Sequence, residues 1–209
     1  MSNTGLIRDS QNLSRCSWCG NDPLYQLYHD EEWGRPVSND VQLFEKICLE
    51  GFQAGLSWIT ILRKRENFRE AFLGFDFYKV ALFTDKDVER LLKNEGIIRH
   101  RGKIEATINN AQKIPDIIDE YGSFAHFLWQ YEPDSKDRPT QITHKTLQTI
   151  TQSAESERLS KDLKKRGFKF VGPTTMYAFM QAMGLVNDHI EGCHIRSQVE
   201  QDRKTFQRP

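Results

Sequence analysis

One carboxylate stands inside an apolar, glycine-punctuated run: Glu50 in ICLEGFQAGLSWI, residues 47–59. A charge in such surroundings is costly without a partner. Glu50 therefore either sits at a helix edge in water or faces a pocket. Tyr25, Tyr28 and Trp33 lie upstream, and Trp58 follows eight residues after Glu50. Rings around one acid supply stacking faces and a hydrogen-bond acceptor, which a flat, electron-poor ring requires. On local pattern alone, core packing accounts for these aromatics better.

A second set of residues has metal-like chemistry. Cys16 precedes His29 by 13 residues, and His189-Ile-Glu-Gly-Cys193 has the His-x3-Cys spacing. Residues four apart share a helix face, so the latter pair can grip one ion. Two sulfurs and two imidazoles form a tetrahedral set of the kind zinc prefers, and a full set leaves no position for water. Its role would be to staple the two ends of the chain. Cys19, in the CxxC of Cys16-Ser-Trp-Cys19, and His194 are rival ligands by spacing, and four ordinary thiols (with Cys48) remain the plain alternative.

The third feature is LKKRGFKFVGPTT, residues 163–175. A helix ends at Gly167, a tight turn follows, and a second helix opens at Gly172-Pro173. Free N–H groups at a helix start, with basic residues before them, suit a phosphate and position DNA without reading its sequence. A solvated basic corner has the same local pattern. Arg99-His100-Arg101-Gly102-Lys103 is a second basic cluster, open to the same two readings.

Helices must position these groups. Asn39 and Asp40 cap a segment with Val41, Phe44, Ile47 and Cys48 at helical spacing. Thr84 and Asp87 open another, Ile104, Ile108 and Ala111 continue the pattern, and Pro115 restarts the chain. Ser123 caps a run with Phe127 and Leu128. Residues 132–143 read as an exposed loop. Leu159 and Leu163 mark the first helix of the turn motif, and Met176, Phe179, Met180 and Met183 the second. No segment alternates with period two, so the expectation is an all-α domain over residues 15–196, with loose tails at 1–14 and 197–209. The 29 basic and 29 acidic residues balance, giving no global field for a polyanion or membrane. No stretch has a signal-peptide pattern or the length of a membrane span, and a cytoplasmic monomer is expected.

Taken together, RCSW (15–18), DPLYQLYHDEEWG (22–34), LFEKICLEGFQAGLSWITILRKRENF (43–68), GIIRHRGKI (96–104) and LKKRGFKFVGPTTMYAFMQAMGLVNDHIEGC (163–193) resemble the bacterial 3-methyladenine DNA glycosylase I family. This is a branch of the helix-hairpin-helix DNA glycosylases, and the likeness runs from about Arg15 to Cys193. It implies one structural zinc on Cys16, His29, His189 and Cys193. It implies a base pocket of Tyr28, Trp58 and a catalytic Glu50. It also implies a DNA-anchoring hairpin near 163–184, with contacts from Gly167, Phe168, Lys169, Gly172 and Thr174, and a duplex-probing Leu56. Cys19, the N-terminal tail, and Phe52 where the family commonly has glutamine are departures. Phe52 bears on the DNA-side contacts.

The implied reaction is hydrolysis of the N-glycosidic bond of 3-methyladenine in double-stranded DNA, leaving an abasic site without strand cleavage. A lesion-binding module without catalysis would keep Leu56 and the hairpin but lose Glu50 or Tyr28, and both are present. A zinc hydrolase or deaminase would need three ligands, a water and a nearby acid, for which Glu191 is the candidate.

Overall fold

The computed structural model describes residues 4–209. Helices dominate: α1 Pro23–Glu31, α2 Asp40–Gln53, α3 Trp58–Arg63, α4 Arg65–Ala71, α5 Phe77–Val80, α6 Asp85–Leu92, α7 Arg101–Ala111, α8 Ile114–Tyr121, α9 Phe124–Trp129, α10 His144–Gln148, α11 Ala154–Lys165, α12 Pro173–Ala182 and α13 Arg196–Thr205. Their boundaries follow local chemistry. The Asn39 side chain accepts from Gln42 N–H at the start of α2, Thr84 and Asp87 form a capping box on α6, and Pro115 sits in the first turn of α8. Among the described residues no helix is long and apolar enough to cross a membrane.

Helix α2 is the axis of the core. Every residue from Leu43 to Phe52 is buried, and α3, α7, α9 and α12 pack around it. A helix buried on all sides normally carries no charge; this one carries Glu45, Lys46 and Glu50. Arg69 clamps Glu45 at 2.8–3.0 Å, which leaves the other two to be explained by the site. At the opposite end, the Asp40 carboxylate accepts from the amides of Phe124 and Ala125, joining the starts of α2 and α9.

The structure departs from the sequence reading at both ends. Strands β1 (Leu6–Arg8) and β2 (Ser14–Cys16) pair antiparallel, Leu6 opposite Cys16, where a loose tail was expected. Strands of three residues are too short to print a period-two pattern. Residues 1–3 of that expected tail lie outside the described residues. At the other end, α13 buries Val199, pairs Asp202 with Arg35, and is followed by Phe206 packed on Trp129 at 4.6 Å. Its exposed face is polar, so a single buried valine in ten residues was too thin a signal. The 132–143 segment is also anchored: Arg138 meets Tyr177 and Asp188, and Ile142 is buried.

Candidate active site

Glu50 answers to the pocket alternative. It projects from the last turns of α2, is 6% exposed, and lines a cleft of about 300 Å³ with Trp18, Tyr25, Tyr28, Trp33 and Trp58. Gln53, Leu147, Ala178 and Gln181 complete the lining, so α2, α3, α10 and α12 all contribute with the N-terminal segment. That volume is at the low end of the ~300–1,000 Å³ of ligand clefts and suits one flat ring. The rings brace one another: Trp18 lies edge to face, 5.0 Å from both Tyr25 and Trp33, and Tyr28 lies tilted, 5.4 Å from Trp58. The indole N–H of Trp58 is buried and has no acceptor.

The partner of Glu50 is Lys46, one helical turn earlier. Its Nζ stands 3.0 Å from Glu50 Oε1, donates to the Tyr28 hydroxyl oxygen at 2.7 Å, and lies 3.3 Å from the Trp58 ring centroid. An ammonium has three N–H donors, and here three acceptors surround it: carboxylate, phenol and indole face. Burial pulls Lys46 below an ordinary lysine, with the Glu50 charge opposing that pull. Burial and the Glu50 charge hold the Tyr28 phenol well above its usual range, so it stays protonated. Glu50 Oε2 makes no hydrogen bond with the described residues. The sequence reading missed Lys46, although its i,i+4 spacing from Glu50 within an apolar run was a usable signal.

Tyr28 and Trp58 also border a second cavity of about 200 Å³, lined by Lys46, Glu45, Arg65 and Arg69. There the charged groups answer each other, Arg65 with Glu32 and Arg69 with Glu45. The first cleft, with the acid and the rings, is the one equipped for a planar ligand.

The expected ligand set comes together. One donor atom from each of Cys16, His29, His189 and Cys193 lies within 4.8 Å of the others, and all four residues are buried. Cys193 Sγ is 3.5 Å from His29 Nε2 and 3.6 Å from His189 Nδ1. The far ring nitrogens are fixed: His29 Nδ1 donates to Asp30 at 2.7 Å, and His189 Nε2 to the Trp33 carbonyl at 2.9 Å. Such outer partners orient metal-binding imidazoles. The Cys193 sulfur and burial push the Cys16 thiol up, while Cys16 and the two imidazoles, against burial, hold the Cys193 thiol down. Ionising both would require a cation among them. Neither rival belongs to the set: the Cys19 thiol donates to the Cys16 carbonyl, and His194 Nδ1 to Ser14 O. Glu191 pairs with Arg196 at 3.0 Å.

At the 163–175 motif, α11 and α12 pack together through a tight turn. Asn110 holds it from both sides, accepting from Lys169 N–H at 2.8 Å and donating to Lys169 O at 3.0 Å. Gly51 of α2 lies against it, where an added Cβ would stand 3.3 Å from the Phe170 Cβ. Gly167, Lys169 and Thr174 are exposed and Gly172 half-buried. The amides of Phe170, Gly172 and Thr174 make no hydrogen bond with the described residues, and Lys164 and Lys169 make no ion pair among them. Phe168 differs from the expectation: it is 4% exposed and stacks on Phe124, so its side chain belongs to the core. After Gly167 the chain turns 168 and 171 inward, and Phe170 is the exposed ring. Leu56 stands 42% exposed in the loop between α2 and α3. The second basic cluster is mostly committed: Arg99 pairs with Glu95, Arg101 with Glu89 and Glu105, and Lys103 points inward.

Known proteins resemble the chain over most of its length. The methyladenine glycosylase family model matches residues 18–197. DNA-3-methyladenine glycosylase 1 of Escherichia coli K12 is 54% identical over 87% of this chain and 96% of its own, and the DNA-3-methyladenine glycosylase of Haemophilus influenzae is 48% identical over 86% and 96%. Among solved structures, a variant of 3-methyladenine DNA glycosylase I in complex with 3-methyladenine superposes with a TM-score of 0.80 at 42% identity, over 87% of this chain and 97% of the other.

Proposed function

The chain belongs to the methyladenine glycosylase family, and from that premise we propose that it excises 3-methyladenine from alkylated double-stranded DNA by hydrolysing the N-glycosidic bond. The observation that carries the reading is the buried Glu50 in a cleft walled by aromatic rings. Methylation at N3 makes the purine cationic, which weakens its bond to the deoxyribose. The nucleotide swings out of the duplex, at a cost of a few kcal/mol that is least for damaged pairs. Its base enters between the rings, and Glu50 Oε2 accepts a hydrogen bond from the exocyclic amine. The C1′–N9 bond breaks with its electron pair passing to the base, water adds to C1′, and the water's proton leaves to solvent.

Lys46 refines this account. With an ammonium at 3.0 Å, the Glu50 charge is already balanced. The pocket then selects through hydrogen-bond geometry and ring stacking rather than through net charge. Binding the cationic ground state as tightly as the transition state would not speed the reaction, so Glu50 also acts as an acceptor in the transition state, toward the developing sugar charge or the attacking water.

The product is an intact abasic strand and the free base. No lysine lines this cleft among the described residues; Lys46 borders the neighbouring cavity, and its donors are engaged by three acceptors, which keeps it from attacking the sugar as an amine nucleophile. The four-donor cluster fits zinc: two sulfurs and two oriented imidazoles fill a tetrahedron with no position left for substrate. Zinc there would tie β2 and α1 to the segment before α13, and no step of the reaction passes through it. The protein acts as a cytoplasmic monomer on duplex DNA.

Incubating the protein with methylated duplex DNA and identifying the released base tests the reading. Release of 3-methyladenine, with no strand break and no borohydride-trapped adduct, is expected. Absence of any released base overturns it.

A further inference from the structure

Lys103 is a cation placed against the grain of its own helix. It lies in the first turn of α7, where the helix dipole is positive. It is 7% exposed and forms no ion pair among the described residues. Instead its Nζ crosses to the end of α2, donating to Phe52 O at 2.9 Å and to Ala54 O at 2.6 Å. There it caps carbonyls that have no partner within their own helix, at the negative end of the α2 dipole. Burial lowers its pKa, and nothing opposes that shift.

The segment it holds is residues 54–57, which carries Leu56 and is exposed throughout. The turn depends on Gly55 at φ +83°, a left-handed conformation that favours glycine. Among the described residues, the Lys103–Ala54 contact is the only hydrogen bond reaching this loop from outside α2 and α3. Lys103 also borders a narrow crevice with Gly51, Lys169 and Phe170, which sets it between the Leu56 loop and the α11–α12 turn.

We propose that Lys103 is the positioning residue of the DNA-wedging loop, fixing where Leu56 stands relative to the α11–α12 turn and so governing engagement of the duplex rather than recognition of the base. This rests on the glycosylase reading above. A purely structural cap would lower stability and weaken every ligand alike. A positioning residue weakens the duplex alone, and only while Leu56 is there to be positioned.

The test compares Lys103→Met, Leu56→Ala and the double variant in the full chain. Affinity for free 3-methyladenine is read by tryptophan fluorescence, and affinity for a duplex bearing a reduced abasic site by anisotropy. For Lys103→Met, duplex affinity should fall about tenfold, as for loss of one charged hydrogen-bonded anchor, with base affinity within about twofold of wild type. In the Leu56→Ala background the same change should cost little further, a non-additivity that marks coupled residues. Unchanged duplex affinity, equal losses for both ligands, or additive losses would each overturn the proposal. If Lys103→Met does not fold, Gly55→Ala takes its place. An added Cβ there meets nothing within 4 Å, so the change acts on the loop backbone alone, and it must give the same split between ligands. A wild-type protein that releases no methylated base sinks the glycosylase reading. An active wild type with no split in the variants sinks only this inference.

Discussion

Two buried polar centres both draw on α1, one through Tyr28 and the other through His29, and they are finished to different degrees. At the Cys16–His29–His189–Cys193 cluster every ring nitrogen has an assigned neighbour, sulfur on one side and Asp30 or the Trp33 carbonyl on the other. At the cleft, the lysine that partners Glu50 is saturated, but the buried Trp58 indole N–H is left over. Unmade hydrogen bonds are expensive in the interior. A protein that satisfies one centre fully and leaves the other short has built the first for stability and the second for a visitor.

Three variants can break or sharpen that contrast. The largest effect is expected at Glu50. Replacing it by glutamine keeps the shape but removes the charge that Lys46 faces, and single-turnover excision should fall by at least about a hundredfold. Excision at the wild-type rate would end the assignment. At the cluster, protein supplied with zinc should hold about one equivalent, and Cys193→Ser should lose it and lower Tm by about 10 °C, a loss of several kcal/mol in a domain of this size. The fraction still folded should excise at the normal rate. Metal loss that abolishes excision while leaving Tm unchanged would make the cluster catalytic and erase the contrast. The smallest effect belongs to Asp30, whose carboxylate burial pushes up but Arg15 and His29 pull below the usual range. Asp30→Asn should weaken metal retention against a chelator by about tenfold without altering excision at saturating metal. Equal metal retention would show that His29 is oriented without it.

The two centres were unequally legible in the sequence. The four metal-type donors could be named because cysteine and histidine are rare, and their positions survive any uncertainty about the intervening chain. Spacing alone did not choose between Cys16 and Cys19, three residues apart, or His189 and His194, five apart; the family resemblance did, and the fold then shows each rival held elsewhere. Glu50 was visible as a charge in an apolar run, while Lys46 was hidden because helix α2 turns its whole circumference inward and no polar face contrasts with the core. Helix existence followed from caps and spacing in α2, α6 and α9. The ordered ends did not, because β1, β2 and α13 are held by a few tertiary contacts rather than by a pattern of their own. Phe168 and Phe170 are chemically identical, and only the turn geometry decides which enters the core.

Cys16 and Cys193 meet in space although 177 positions separate them. A nascent chain therefore carries half of the donor set, Cys16 and His29, through the synthesis of the whole intervening body and acquires the remainder only at His189 and Cys193. Joining such distant points is slow and entropically unfavourable unless the intervening body has already condensed. The cluster thus registers synthesis through Cys193: a polypeptide released by the ribosome before His189 would lack two of the four donors and could not close the cluster.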